Sequence, residues 1–159
     1  MGVREAQGFI QKHPSRHDAP RGGRFAVAVA EVEGGADALP RIACVAMVGN
    51  PIARATAATR TTAELTRSAS DGTRHAASKC IAAASHAALT VGYRRIISYT
   101  ILGEAGASYR AAGWHVTGLT GATDIRMQSL AYDFNGDKTI NANDLTALRG
   151  EVAAVVQRT

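Results

Sequence analysis

Tyr109 lies four residues before a Gly113-Trp114 step. A phenol held in a cleft can give a proton to a leaving group; the plainer alternative is that its ring only packs a helix onto a sheet. A second cluster, Asp71-Gly72-Thr73-Arg74-His75-Ala76-Ala77-Ser78, puts glycine and small residues where a helix begins. Exposed N–H groups and the helix dipole attract anions there, and Arg74 adds a positive charge. The stretch lacks the G-K-[ST] of a P-loop and the G-x-G-x-x-G of a dinucleotide turn. Its alternative is a helix capped by Thr73. A third cluster gathers His13, Arg16, His17, Arg21 and Arg24 in one segment. It suits an acidic or nucleic-acid acceptor, or it is a solvated basic loop. The two His would need a helix to share a metal, and Pro14 breaks it. The fourth cluster is Asp133, Asn135, Asp137, Thr139, Asn141 and Asp144. Oxygen donors at alternating positions can wrap a calcium ion, or they form an Asx-rich turn that caps a helix at Asp144.

The elements that must position these residues follow from pattern. Residues 4–12 (REAQGFIQK) read as a short helix, and 13–24 (HPSRHDAPRGGR) as a loop. FAVAVAEV at 25–32 alternates and carries β-branched residues, and RIACVAMV at 41–48 reads as the next strand, so the pair predicts an antiparallel hairpin. AELTRS at 63–68 predicts a third strand, and 49–62 a loop. Residues 74–90 (RHAASKCIAAASHAALT) hold no Pro or Gly and predict the longest helix, closed by Gly92. RRIISY at 94–99 predicts a strand, 104–112 a short helix closed by Gly113, and WHVTG at 114–118 a last strand. The strand–helix–strand unit at 63–99 requires a parallel crossover beside the antiparallel hairpin, hence a mixed sheet with helices on its faces.

The 159 residues suit one ordinary domain with a small appendage. Hydrophobic residues make up 46% but aromatics only 5%, so the core is expected to be thin and built of small side chains. There is no apolar run of about 18 residues, as a transmembrane helix requires. The charged N-terminus does not read as a signal peptide, and a cytoplasmic protein is expected. Cys44 and Cys80 sit in apolar surroundings and outside any C-x-x-C, so they read as small buried hydrophobes. From residue 122 onward four Lys/Arg meet five Asp/Glu, which leaves +6 on the first 121 residues against +5 for the whole chain. Such a basic surface suits an anionic partner, a phosphorylated cofactor or nucleic acid.

The order strand, small-residue turn, helix, strand, Tyr-bearing helix, Gly-aromatic strand resembles the GNAT acyltransferases. The stretches ELTRSASDGTRHAASK, GYRRIISYT and GEAGASYRAAGWHVTG resemble a phage and prophage branch of that superfamily, related to the DNA-adenine modification protein Mom. The resemblance covers about residues 4–119. It implies an α/β fold: a mixed, mostly antiparallel sheet with helices on both faces, here with a short helical C-terminal tail. It implies transfer of an acetyl or other acyl group from coenzyme A to an amine, either a small molecule or, as in Mom, a DNA base. Leu65, Thr66 and Arg67 match the strand edge that binds pantetheine. Gly72, Thr73, Arg74, His75, Ala76, Ala77 and Ser78 match the pyrophosphate turn. Tyr109 matches the general acid that protonates the departing thiolate. Glu64 and Glu104 are candidates for the base, and His13, His17 and Arg24 for acceptor contacts. A GNAT-like core used only for binding is the non-enzymatic alternative.

Residues 133–145 in turn resemble a single dockerin-type EF-hand repeat, with Lys138 where a glycine makes the sharp turn. The expected organisation is therefore a GNAT-like domain at 1–121 and an EF-hand-like tail at 122–159, with acetyl-CoA and calcium as the ligands. If the tail binds calcium, the metal raises its melting temperature by linkage, by about 2.7 kcal/mol at 100 times the dissociation constant. Lys138→Gly tightens that binding, because glycine accepts the positive φ of the turn. Tail helicity that ignores both calcium and chelator in wild type and variant would show the segment to be only a helix cap.

Overall fold

The computed structural model describes residues 1–13, 18–32, 38–58, 60–101, 106–120 and 124–130. In chain order the elements are α1 (Val3–Lys12), β1 (Phe25–Glu31), β2 (Arg41–Gly49), α2 (Arg54–Ala58), β3 (Thr62–Ser70) and α3 (Ala76–Thr90). β4 (Arg95–Ile101), α4 (Ala107–Ala111), β5 (His115–Thr120) and β6 (Asp124–Leu130) follow. Six strands form one sheet in the order β1-β2-β3-β4-β6-β5. Only β3 and β4 run parallel among these strands, as the crossover through α3 requires. The sheet is therefore mixed and mostly antiparallel. No helix among the described residues is long and apolar enough to cross a membrane.

Strand β2 is buried on both faces, and its alternation divides the core in two. Cys44, Ala46 and Val48 point to α3, where they meet Ala76, Cys80, Ile81, Ala84 and Ala88. Those helical positions recur at the spacing that lines one side of a helix. Val45 and Met47 point the other way and meet Ala6 and Ile10 of α1. Nine of the 20 buried apolar residues are alanine, which lets α3 lie close over the strands. Cys44 and Cys80 are fully buried thiols of this core, as their surroundings predict.

Between β2 and β3 the register shifts by one residue. Val48 pairs with Leu65, but Met47 pairs with Arg67, so Thr66 is an extra residue on β3. A bulge of this kind reverses which face each following side chain takes. Ala63 and Leu65 face α3 with Val48, whereas Ala69 packs in the α1 cluster with Val45. Glu64 lies opposite Gly49 and Arg67 opposite Met47. The inserted residue therefore brings two side chains three apart in sequence to the same, α1-side face. The Thr66 hydroxyl donates to the Met47 carbonyl at 3.2 Å and holds the bulge.

The hairpin, the crossover and the order of the eight expected elements agree with the pattern-based expectation. Three differences stand out. The segment 49–62, expected as a loop, contains α2. Helix α3 starts at Ala76 rather than Arg74. The sheet also continues past residue 121: β6 pairs with β4 along its whole length and takes the place between β4 and β5. Part of the segment expected to be a helical tail is thus a strand of the main sheet, and residues 131–159 lie outside the described residues. Deleting Thr66 is expected to abolish folding, because it would turn Arg67 toward α3 and Ala69 out of its cluster. Thr66→Ala keeps the extra residue and loses one hydroxyl hydrogen bond, for a cost of about 1 kcal/mol. Circular dichroism and thermal melts of the two variants would separate these outcomes, and a stably folded deletion would show that the bulge does not fix the face of Arg67.

Candidate functional site

The site begins where the sheet forks. The ladder between β3 and β4 comprises only Thr62–Glu64 with Arg95–Ile97, and beyond it the two strands share no pairing. At that point Ser98 bridges the strands, its hydroxyl donating to the Leu65 carbonyl at 2.8 Å. The Tyr109 hydroxyl lies 2.8 Å from the same Ser98 oxygen. Since the single Ser98 proton serves Leu65, Tyr109 is the donor in that second bond.

Tyr109 is set by the end of its helix. The Trp114 N–H donates to the Tyr109 carbonyl at 2.9 Å and the Gly113 N–H to the Arg110 carbonyl at 3.0 Å, with Gly113 at φ +81°. This is a Schellman ending, in which the residue after the left-handed glycine packs on the side chain five positions earlier. The two rings meet edge to face with centroids 5.1 Å apart. Trp114, 3% exposed, donates its indole N–H to Ser85 of α3 at 3.0 Å. The Tyr-x-x-x-Gly-aromatic spacing therefore has a packing cause, and the same packing presents the hydroxyl at the fork.

Strand β3 runs directly into the second feature, the N-terminus of α3. Asp71 accepts the Thr73 N–H at 2.9 Å and pairs with Arg41, whose guanidinium also reaches the Thr73 hydroxyl at 3.4 Å. Ser70 accepts the Gly72 N–H at 3.2 Å. Gly72 has φ +98°, which its missing Cβ allows. The residue preceding the helix is His75, not Thr73, and it holds φ +62° although it is not a glycine. No side chain caps α3, and its first turn contains no acidic residue. Arg74, His75 and Lys79 are exposed around it. Cations at a positive helix end are unfavourable on their own, and among the described residues no side chain offsets them by capping this end.

The third feature is a cleft of about 530 Å³ on the α1 side of the sheet. Its walls are Thr66 and Arg67 of β3, Gly49, Asn50 and Ile52 after β2, and the loop Pro20, Gly22, Gly23, Arg24. Gln7 of α1 donates to the Pro20 carbonyl at 2.7 Å and the Arg24 N–H to the Val48 carbonyl at 2.7 Å, so the loop is tied at both ends. Gly23 lies so close to β2 that a Cβ there would sit 3.2 Å from the Val48 carbonyl oxygen. Behind the wall, Glu64 is 3% exposed and accepts the Ile52 N–H at 2.9 Å. Burial pushes its carboxyl above the usual carboxylate range, and the Ile52 N–H partly offsets this.

Leu65, Thr66, Arg67 and Tyr109 thus converge on the fork, with Gly72 to Ser78 at its open end. Arg24 and Arg67 share the cleft, and Glu64 sits behind it. His13 does not join them; its ring stacks on Phe9 with centroids 4.2 Å apart. Glu104, His17 and the proposed calcium ligands Asp133, Asn135, Asp137, Thr139, Asn141 and Asp144 lie outside the described residues. Among the described residues no group of three His, Cys, Asp or Glu could hold a metal. Ser98, Asn50 and Arg41 carried no signal of their own by residue type or spacing, since single residues without a motif acquire their parts only through the sheet.

No protein-family model matches the chain, and no curated protein matches its sequence. Solved structures do resemble it. A protein from Desulfovibrio desulfuricans described as an acetyltransferase of the GNAT family superposes with TM-score 0.44 at 18% identity, over 63% of this chain and 66% of its own. Aminoglycoside 6'-acetyltransferase type Ii gives 0.47 at 18%, over 67% and 69%. YncA from Salmonella typhimurium, described as an acetyltransferase and solved with its cofactor acetyl-CoA, gives 0.45 at 16%, over 64% and 63%. The chain spans just under two thirds of the first and third of these proteins.

Glu64 offers a test of the buried carboxyl. A group whose folded pKa is raised stabilises the fold below its unfolded pKa and loses that contribution as pH rises through the folded value. Glu64→Gln keeps an acceptor for Ile52 and cannot ionise. Its melting temperature relative to wild type should therefore climb as pH rises from acid to neutral. A difference that does not change with pH would show that Glu64 titrates as an ordinary exposed carboxylate.

Proposed function

We propose that the chain is an acyl-CoA-dependent N-acyltransferase that moves an acetyl or related acyl group to an amine. The observation that carries this reading is the uncapped, cation-flanked start of α3 at the open end of the β3/β4 fork, with the Tyr109 hydroxyl at its closed end. The GNAT resemblance in residues 63–78 and 103–118 supports it.

The residues present fit acetyl-CoA. The N–H groups of Ala77 and Ser78 at the start of α3, with Gly72, Thr73, Arg74, His75 and Ala76 beside them, suit the pyrophosphate. The backbone of Leu65, Thr66 and Arg67 borders the slot where β3 has no partner, and suits the pantetheine arm and the acyl carbonyl. The bound cofactor supplies an activated thioester. Glu64, buried and raised in pKa, is the candidate to take a proton from the amine through Ile52's neighbourhood of the cleft, and Glu104 is the other candidate base. Tyr109 holds a proton at its hydroxyl on the opposite side of the sheet, with Ser98 to orient it, and is the candidate acid for the leaving sulfur. The cleft lined by Arg24 and Arg67 is the acceptor site. Its size suits a small molecule; the alternative acceptor, a DNA base, rests on the +6 charge of the first 121 residues. Such an enzyme works in the cytoplasm, where acyl-CoA is available.

Calorimetric titration of the folded protein with acetyl-CoA should show saturable binding, and its absence would sink the proposal. Tyr109→Phe keeps the ring on Trp114, so stability should fall by no more than about 1 kcal/mol. Its kcat should drop at least about tenfold with acetyl-CoA affinity nearly unchanged, given the usual 10²–10⁴ worth of general acid catalysis. Full turnover in this variant would remove Tyr109 from the mechanism and leave water as the proton donor.

A further inference from the structure

The cleft beside β3 contains a cation with an unmade bond. The Nε of Arg67 is buried and has no hydrogen-bond partner among the described residues. A buried guanidinium N–H left unsatisfied costs more than an ordinary lost hydrogen bond, and such groups in native proteins find water or a ligand. Arg67 is also one of two arginines in the wall. Arg24 lines the same cleft and donates its Nε to the Asn50 side chain at 3.0 Å, which holds the plane of its guanidinium. None of the residues lining the cleft is acidic. The nearest carboxylate in the strand, Glu64, is committed to the Ile52 N–H behind the wall. Two arginines line one small cavity, and none of the described residues that line it carries a counter-charge.

We propose that the cleft selects acceptors in which the amine is accompanied by an anionic group, a carboxylate or a phosphate, and that Arg67, aided by Arg24, is the residue that recognises it. The guanidinium fork matches the paired oxygens of either anion. The bulge at Thr66 keeps Arg67 on the same face as Glu64, with the arginine in the cleft wall and the carboxyl behind it. This reading of the acceptor rests on the acyltransferase proposal, but the anion site itself stands on the cleft geometry alone.

The test has two arms. In the first, arginine Nε–H resonances of the labelled protein are followed by NMR, with the Arg67 signal identified by its loss in Arg67→Lys. Titration with glycine and with O-phosphoethanolamine should move the Arg67 signal saturably, whereas glycinamide and ethanolamine should not. In the second, acetyl transfer from acetyl-CoA is followed by thiol release with the same pairs. The anionic member should have the higher kcat/KM, and Arg67→Gln should collapse the ratio between the two by at least about tenfold, chiefly through KM. An Arg67 signal that ignores both anionic probes would overturn the proposal, as would equal kcat/KM for anionic and neutral members in wild type. A signal that answers duplex DNA but neither small anion would assign the arginines to a nucleic-acid backbone and likewise overturn it. Anion-dependent shifts of Arg67 without turnover of any amine would leave the anion site standing and remove the acyltransferase reading instead.

Discussion

The single extra residue in β3 sets most of what matters in this molecule. A regular strand over 62–70 would place Glu64 and Arg67 on opposite faces, one under α1 and the other under α3. Thr66 opposes no residue of its own on β2, so the parity changes between Leu65 and Arg67. Three consequences share that cause. Leu65 stays in the α3 core, Ala69 joins the α1 core, and the cleft receives an arginine. The bulge also lies just past the last rung of the parallel ladder with β4, at Thr62–Glu64. The strand thus changes its pairing and its facing within a few residues, and the fork opens at the same place.

Capping decides the rest. Two helices end in Schellman turns: Tyr93 N–H to the Ala88 carbonyl after α3, and Trp114 N–H to the Tyr109 carbonyl after α4. Those endings fix where the chain turns back into β4 and β5. The start of α3 is treated differently. Its turn is braced by Arg41, Asp71, Thr73 and Ser70, all of which stabilise the loop and none of which caps the helix. A protein that only needed this helix to begin could have placed Ser or Asp at position 75. It has instead a histidine in the left-handed region, where a non-glycine residue costs roughly 1–2 kcal/mol. Strain of that kind, at a helix end surrounded by cations, is one of the observations that support the proposed anion site.

How far these features could be read from residues alone follows from the range of the interactions that make them. The β1/β2 hairpin, the β3–α3–β4 crossover and the Gly92 and Gly113 helix ends were legible, because alternation, helical composition and capping act over a few residues. The resemblance in 63–78 and 103–118 located the fork and Tyr109. Strand β6 was not legible: DIRMQSL carries an Asp, an Arg and a Gln, and it becomes a strand only because β4 and β5 each offer it an open edge. The bulge was not legible either, since ELTRSAS has no clean alternation whose break would mark residue 66. Thr73 looked like a cap because its type favours that role, but Arg41 and the Asp71 turn hold it one step too early. His13 belongs by sequence to the basic loop and by structure to Phe9.

The two faces of the fork carry opposite chemistry, and the sheet between them explains why both can exist in so small a protein. On the α3 side lie the helix start and the Tyr109–Ser98–Leu65 chain of hydroxyls and carbonyl, all within an alanine-rich core thin enough to bring α3 onto the strands. On the α1 side lie Arg24, Arg67 and Asn50 around an open cavity, with Glu64 behind it. The sheet keeps the Glu64 carboxyl and the Tyr109 hydroxyl from bonding to each other directly. Separated by the sheet, each keeps its own environment: Glu64 shielded from water and raised in pKa, Tyr109 donating to a serine whose own proton is already engaged. The two sides meet at the gap where β3 and β4 cease to pair, beside the backbone of Leu65, Thr66 and Arg67. The bulge next to that gap is also what turns the Arg67 side chain to the α1 side, so one irregularity in β3 sets both the edge of the gap and the charge of the cleft.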